Sequence, residues 1–178
     1  MNEIELSKKL IAFETVTPQD NGITDFISNF LSQEVGFSEV IIKNFTDVNE
    51  KAKDTLNLYA SLFKHTSEKN NFCFAGHLDV VPAGKEYLWK FPPFEPTIED
   101  GILYGRGASD MKTAVASFII ATKEFLDENQ GFNKGNISIL LTCDEEGNAL
   151  NGTQKMLKFI SEMGVTLNHV VVGEPTSE

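Results

Sequence analysis

The feature that most constrains the fold is a nearly continuous apolar run in the second half of the chain. Residues 136–142 read Asn-Ile-Ser-Ile-Leu-Leu-Thr, with little alternation between polar and apolar side chains. A strand of this kind is typical of a sheet that is buried on both faces. The run therefore predicts an α/β protein with helices on both sides of a central sheet.

The segments around this run predict the same fold class. Helical spacing of apolar residues predicts helices over residues 4–13, 24–35 and 154–162, and a further helix that starts at Ser109. Short apolar runs predict strands at residues 40–42, 56–63, 72–75 and 170–172, and a short ribbon inside the long loop 82–107. We expect a single domain whose central sheet is mixed, largely parallel and flanked by helices.

Charge and cysteine content exclude several classes of protein. The chain has 15 Lys and Arg against 26 Asp and Glu, a net charge of -11, which argues against the basic face that a nucleic-acid binder needs. No apolar run approaches the roughly 18 residues of a membrane span, and the first residues are acidic where a secretory signal is basic. Cys73 and Cys143 lie in apolar runs and are predicted to be buried free thiols. A cytoplasmic protein without a membrane partner is expected.

Four segments that carry acids or histidine stand where predicted strands end or where the central helix starts. They are Gly76-His77-Leu78-Asp79, Ser109-Asp110-Met111-Lys112, Asp144-Glu145-Glu146-Gly147 and Gly173-Glu174-Pro175. In α/β sheets these ends meet at one edge, and the gathered carboxylates would repel each other unless a cation lay between them. One imidazole among several carboxylates suits zinc, or a neighbouring transition ion, better than calcium or magnesium.

Within these segments, two pairs suggest distinct roles. His77 and Asp79 lie on the same side of an extended segment, so Asp79 can orient His77 as a metal ligand. One of the adjacent Glu145 and Glu146 can face a metal while the other serves as the general base of a hydrolysis. Taken alone, however, His77 also fits a core histidine, and the glutamate pair also fits a solvated turn.

The segment before the central helix has two interpretations. Ser109 is expected to cap that helix, which places Asp110 in its first turn. A carboxylate there is favoured by the helix dipole, so a capping role fits Asp110 as well as metal ligation does. Lys112 is expected to be a solvated charge.

Taken together and in order, these motifs resemble the dinuclear zinc metallopeptidases of the M20 type. The match also includes Val80-Val81-Pro82, Gly105-Arg106-Gly107 and Asn151-Gly152-Thr153. The resemblance implies a zinc-peptidase-like sandwich, two zinc ions with cobalt as an alternative, and hydrolysis of the amide bond in a small N-acyl amino acid.

The resemblance also implies a role for each matching residue. The implied zinc ligands are His77, Asp110, Glu146 and Glu174. Asp110 would bridge the two ions, Glu174 would complete the first site and Glu146 would bind the second ion. Asp79 would orient His77, Glu145 would be the general acid/base, and a cis peptide would follow Asp110.

The family is longer than this chain, which bears on domain organisation. Residues 1–178 are expected to be a single catalytic, zinc-binding domain portion, without the family's lid and dimerisation domain or its carboxyl-terminal return segment. The longer enzyme would be a homodimer through that domain. The chain alone would be a monomer with a weak second zinc site and no useful activity. There are three alternatives for the function of the longer protein: an acetylornithine deacetylase, a carboxypeptidase of the same family, or a noncatalytic metal-binding module.

Overall fold

The computed structural model describes residues 1–46, 54–64 and 70–176, and its centre is a five-stranded sheet. The strands in chain order are β1 (Glu39–Phe45), β2 (Thr55–Ser61), β3 (Asn71–His77), β4 (Thr97–Glu99), β5 (Ile102–Tyr104), β6 (Asn136–Thr142) and β7 (His169–Val172). The main sheet has the order β1-β2-β6-β3-β7, and β4 pairs with β5 in a separate ribbon.

The direction of the strands confirms the predicted sheet. The β6–β3 and β3–β7 pairs are parallel, whereas β1–β2 and β2–β6 are antiparallel. Four of the five strands therefore run the same way and only β2 is reversed. The sheet is mixed and largely parallel.

Helices cover both faces of this sheet. They are α1 (Glu3–Ile11), α2 (Ile23–Phe30), α3 (Thr113–Glu128) and α4 (Thr153–Glu162), and a wider turn, Leu31–Val35, continues α2. On the central strand β6, Ile139 and Leu141 belong to the core cluster formed with α1, α2 and α3, while Leu140 packs with Met156 and Ile160 of α4. All three β6 side chains are fully buried. The missing alternation in the sequence thus reflects burial on both faces.

The segment before α3 differs from the prediction. Ser109 makes no capping contact, and α3 begins only at Thr113, after a turn over Ala108–Lys112. Within that turn Asp110 has φ -130° and ψ 102°, so the prediction that it lies in the first turn of a helix is wrong. The turn directs Asp110 toward the sheet edge instead.

Two further expectations concern burial and membranes. Both cysteines are buried free thiols, as predicted. Among the helices of residues 1–46, 54–64 and 70–176, none has the length and apolar character needed to cross a membrane.

Candidate metal centre

The site lies at the edge of the sheet where three neighbouring parallel strands end. β3 ends at His77, β6 ends just before Cys143 and Asp144, and β7 is followed by Gly173 and Glu174. The turn before α3 brings Asp110 to the same edge, where its Oδ1 lies 3.0 Å from His77 Nε2. All four segments singled out in the sequence therefore meet.

Three side chains form a compact set of potential ligands. His77 Nε2 lies 3.0 Å from Asp110 Oδ1 and 3.4 Å from Glu174 Oε1, and the three ligand atoms all lie within 4.8 Å of one another. A tetrahedral zinc ion with bonds of about 2.0–2.2 Å separates its ligand atoms by about 3.3–3.6 Å. The histidine is fully buried, while Asp110 and Glu174 are 46% and 37% exposed, so the set opens to solvent on one side. These three donor atoms are close enough together to share one metal ion.

The orientation of His77 comes from the backbone of Asp79. Nδ1 lies 2.8 Å from the Asp79 carbonyl oxygen but 3.6 Å from its carboxylate Oδ1. Because a carbonyl oxygen can only accept, Nδ1 is the donor, and Nε2 is left to face Asp110 and Glu174. Asp79 is thus close to His77, as expected, but the orienting atom is its main-chain oxygen.

The carboxylate of Asp79 instead contacts the glutamate pair. Its Oδ2 accepts from the N–H groups of Glu145 at 3.1 Å and Glu146 at 3.0 Å. Glu145 is 48% exposed, and its Oε2 lies 3.9 Å from His77 Nε2. Glu146 stands outside the group of three potential ligands but close enough to Asp110 to be affected by its charge.

The pKa values of Glu146 and Glu174 are both raised, first by burial and then by neighbouring negative charge. Burial, and then the charge of Asp110, raise the pKa of Glu146. Burial also raises the pKa of Glu174, with Asp110 and Glu145 adding to the rise and His77 opposing it. For His77 burial lowers the pKa, but the hydrogen bond to the Asp79 carbonyl and the surrounding carboxylates outweigh it, so the net pKa is raised. A bound cation would relieve this repulsion.

Sequence reasoning missed the burial of the two residues that directly follow Asp110. Lys112 is fully buried, so the prediction of a solvated charge is wrong; its Nζ donates to the Phe13 carbonyl at 2.8 Å, and burial lowers its pKa to about 7. Met111 is also fully buried, and its Sδ accepts from the His77 N–H at 3.3 Å. The Asp110–Met111 peptide is cis, as the resemblance implied. Gly76 and Gly173, which leave room for Met111, were the available signal for its position.

Solved structures share this architecture. Human carnosine dipeptidase 1 superimposes with a TM-score of 0.79 at 22% identity, over 98% of this chain and 38% of that one. An M20 family metallo-carboxypeptidase from Sulfolobus solfataricus has a TM-score of 0.76 at 21% identity, over 97% and 37%. At these identities the likeness establishes the fold alone, a mixed sheet with helices on both faces.

Sequence comparison defines the family. The sequence model of peptidase family M20/M25/M40 matches residues 73–178, and the chain belongs to this family. Succinyl-diaminopimelate desuccinylase of Rickettsia felis is 46% identical over 176 residues, and that of Orientia tsutsugamushi is 47% identical over 173 residues. These alignments cover 98% and 97% of this chain but 44% and 42% of the relatives. The chain thus spans less than half the length of these curated relatives.

Proposed function

We propose that residues 1–178 form the zinc-binding catalytic portion of a metal-dependent amidohydrolase. Its reaction would be hydrolysis of N-succinyl-LL-2,6-diaminopimelate to succinate and LL-2,6-diaminopimelate, in lysine and diaminopimelate biosynthesis. The names of the two rickettsial relatives support the substrate. The observation that carries the chemistry is the convergence of His77, Asp110 and Glu174 with the Glu145 carboxylate beside them.

In this proposal His77, Asp110 and Glu174 hold the first zinc ion, and Asp110 and Glu146 hold the second. Zinc supplies Lewis-acid polarisation of the amide carbonyl and lowers the pKa of water near it. The Asp79 carbonyl keeps the proton of His77 on Nδ1, so the Nε2 lone pair is available for the metal.

Glu145 is the proposed general acid/base. Its carboxylate lies 3.9 Å from His77 Nε2, beside the ligand group, and is about half exposed. It would take a proton from the attacking water and deliver that proton to the nitrogen of the departing amine. A positioned base of this kind contributes roughly 10²–10⁴ in rate.

Location and assembly belong to the same proposal. Two buried free thiols suit a reducing, cytoplasmic compartment. The longer protein would be a homodimer, and the 178-residue chain alone would be a monomer with a weakly held second zinc ion.

The test uses the product of the whole reading frame that contains residues 1–178, loaded with zinc. We expect N-succinyl-LL-2,6-diaminopimelate to be hydrolysed with a kcat/KM at least about tenfold above that for N-acetylornithine or for carboxypeptidase substrates. Glu145→Gln should retain zinc but lose at least about a hundredfold in kcat. Glu162→Gln, an exposed glutamate on α4, is the matched control and should retain activity.

Each other result selects a different function. Preference for N-acetylornithine or a peptide would assign another amidohydrolase of this family. Zinc binding without hydrolysis of any N-acyl amino acid would indicate a noncatalytic metal-binding module. Unchanged turnover in Glu145→Gln would remove Glu145 from its proposed role.

A further inference from the structure

The loop that carries Glu145 and Glu146 is bounded by two buried carboxylates. Asp79, fully buried, accepts from the N–H groups of Glu145 and Glu146, as described above. Asp144 is 4% exposed; its Oδ1 accepts from the Ala149 N–H at 3.2 Å and its Oδ2 from the Asn151 N–H at 2.8 Å. Two side-chain carboxylates therefore accept hydrogen bonds from four N–H groups of residues 145–151.

The two carboxylates bond opposite ends of the loop. Asp79 follows β3 and reaches the start of the loop, whereas Asp144 is the first residue of the loop and reaches its far end. The Asp144 N–H donates to Thr142 Oγ1 at 3.1 Å, which ties the carboxylate to the last residue of β6. The Asn151 carbonyl accepts from Asn57 Nδ2 at 2.9 Å, which ties the other end to β2. Both ends of the loop are thus attached to the sheet.

We propose that Asp79 and Asp144 are positioning residues that clamp the backbone of the 144–151 loop and thereby set where the Glu145 and Glu146 carboxylates stand. Neither glutamate side chain is buried, so packing alone does not define its direction. Hydrogen bonds to a charged acceptor are stronger than neutral ones, and each clamp residue uses its carboxylate for two of them. The value of this clamp for catalysis rests on the proposed function, but the clamp itself can be tested without substrate or metal.

Asp144→Asn is the informative variant because it preserves shape. Asparagine keeps one acceptor oxygen but replaces the other with an NH₂ group, which cannot accept from a backbone N–H. One of the two Asp144 contacts is therefore lost, and two donors are brought face to face.

Asp20→Asn is the matched control. The Asp20 carboxylate also accepts from two N–H groups of its own turn, those of Gly22 at 2.8 Å and Thr24 at 3.0 Å. Its Oδ1 also lies 3.8 Å from Cys143 Sγ, just before the loop, but it accepts from no N–H group of residues 144–151. Its loss should therefore loosen a different turn.

The first measurement is amide hydrogen exchange of the metal-free 178-residue chain by NMR. In Asp144→Asn the amides of Ala149 and Asn151, and also those of Glu145 and Glu146, should exchange at least about tenfold faster. Leu140 and Leu141 in β6 should keep their wild-type rates, which excludes global unfolding. In Asp20→Asn the amides of Glu145 and Glu146 should be unaffected. Wild-type rates at Glu145 and Glu146 in Asp144→Asn, or equal acceleration by Asp20→Asn, would overturn the proposal.

A second measurement covers the case in which Asp144→Asn does not fold. In wild-type protein at low urea, the amides of Glu145, Glu146, Ala149 and Asn151 should open in one shared step with the same dependence on urea. Independent openings would contradict a clamp that acts as a unit.

Steady-state kinetics then distinguish a positioning role of Asp144 from a role in stability alone. In the product of the whole reading frame, Asp144→Asn should lower kcat by about 10–100-fold while KM changes by less than about threefold. A rise in KM with unchanged kcat would reject the positioning role. Failure of the proposed function would appear instead as absence of hydrolysis in the wild type, with the exchange result unaffected.

Discussion

A methyl group added at position 76 should disturb both the packing of the sheet edge and the ligand group. Gly76 precedes His77 on β3, and a Cβ there would stand 2.4 Å from Met111 Cε and 3.0 Å from its Sδ. A Cβ at Gly173, which follows β7, would meet the same Cε at 2.7 Å. Met111 thus occupies space that two glycines leave open, and it is fully buried, so it has little room to retreat.

The size of the effect follows from these distances. Carbon atoms pack comfortably at about 3.5–4.0 Å, so the Met111 methyl must move by about 1.1–1.6 Å. Overpacking of this kind typically costs about 1–3 kcal/mol, while replacing a strand glycine by alanine returns about 0.5–1 kcal/mol. We expect Gly76→Ala to lower the free energy of unfolding by about 1–2 kcal/mol.

The same displacement should reach the potential ligands. Met111 directly follows Asp110, and its Sδ accepts from the His77 N–H. Disturbing groups that orient metal ligands commonly costs about 10–100-fold in affinity, so zinc should bind at least about tenfold more weakly to Gly76→Ala.

The assay combines urea unfolding of the metal-free chain with calorimetric zinc titration. Met111→Ala alone should cost about 2–5 kcal/mol by opening a cavity. In the double variant the added methyl fills part of that cavity, so the total loss should fall short of the sum by more than about 1 kcal/mol. Additivity within about 0.5 kcal/mol, or unchanged zinc affinity in Gly76→Ala, would refute this reasoning.

Two further predictions concern pH. The raised pKa of His77 stabilises the metal-free chain fully below the unfolded pKa of about 6.5, and this contribution is lost as pH rises through the higher folded pKa. The urea midpoint should therefore fall between about pH 6 and 8, less so in His77→Gln, while zinc affinity rises over the same range because protons compete with the metal. In the folded chain burial lowers the pKa of Lys112 to about 7, so between about pH 10 and 7 the unfolded chain binds a proton that the folded chain does not. The free energy of unfolding should therefore fall as pH falls from about 10 toward 7. The free energy of unfolding of Lys112→Met should lack this pH dependence. If the free energies of variant and wild type changed with pH in parallel, a desolvated Lys112 amine would be contradicted.

Much of the fold follows from local pattern. The strand predicted at residues 136–142 coincides with β6, and the helix predicted at 154–162 differs from α4 by one residue. Both succeed because the pattern is complete within the element itself: a continuous apolar run in β6 and a helical spacing of apolar residues in α4.

The start of α3 shows where local pattern is insufficient. Ser109-Asp110-Met111-Lys112 has the composition of a helix cap and first turn, and local propensity favours that structure. In the protein Met111 enters the space left by Gly76 and Gly173, and Lys112 reaches the Phe13 carbonyl. These contacts join residues far apart in the chain, and they override the local preference.

The sequence by itself determined which acidic and histidine residues lie at the sheet edge and that they would lie close together there. An α/β chain places strand ends together, so His77, Glu145 and Glu174 could be expected to meet. Only the tertiary structure decided which atoms do so: the Asp79 carbonyl contacts His77, and the Asp79 carboxylate contacts the Glu145 N–H. Because His77 and Asp79 are two residues apart in an extended segment, the sequence places them on the same side. Which Asp79 oxygen contacts His77, the main-chain or the side-chain one, depends on the loop of Glu145, which packs there from elsewhere in the chain.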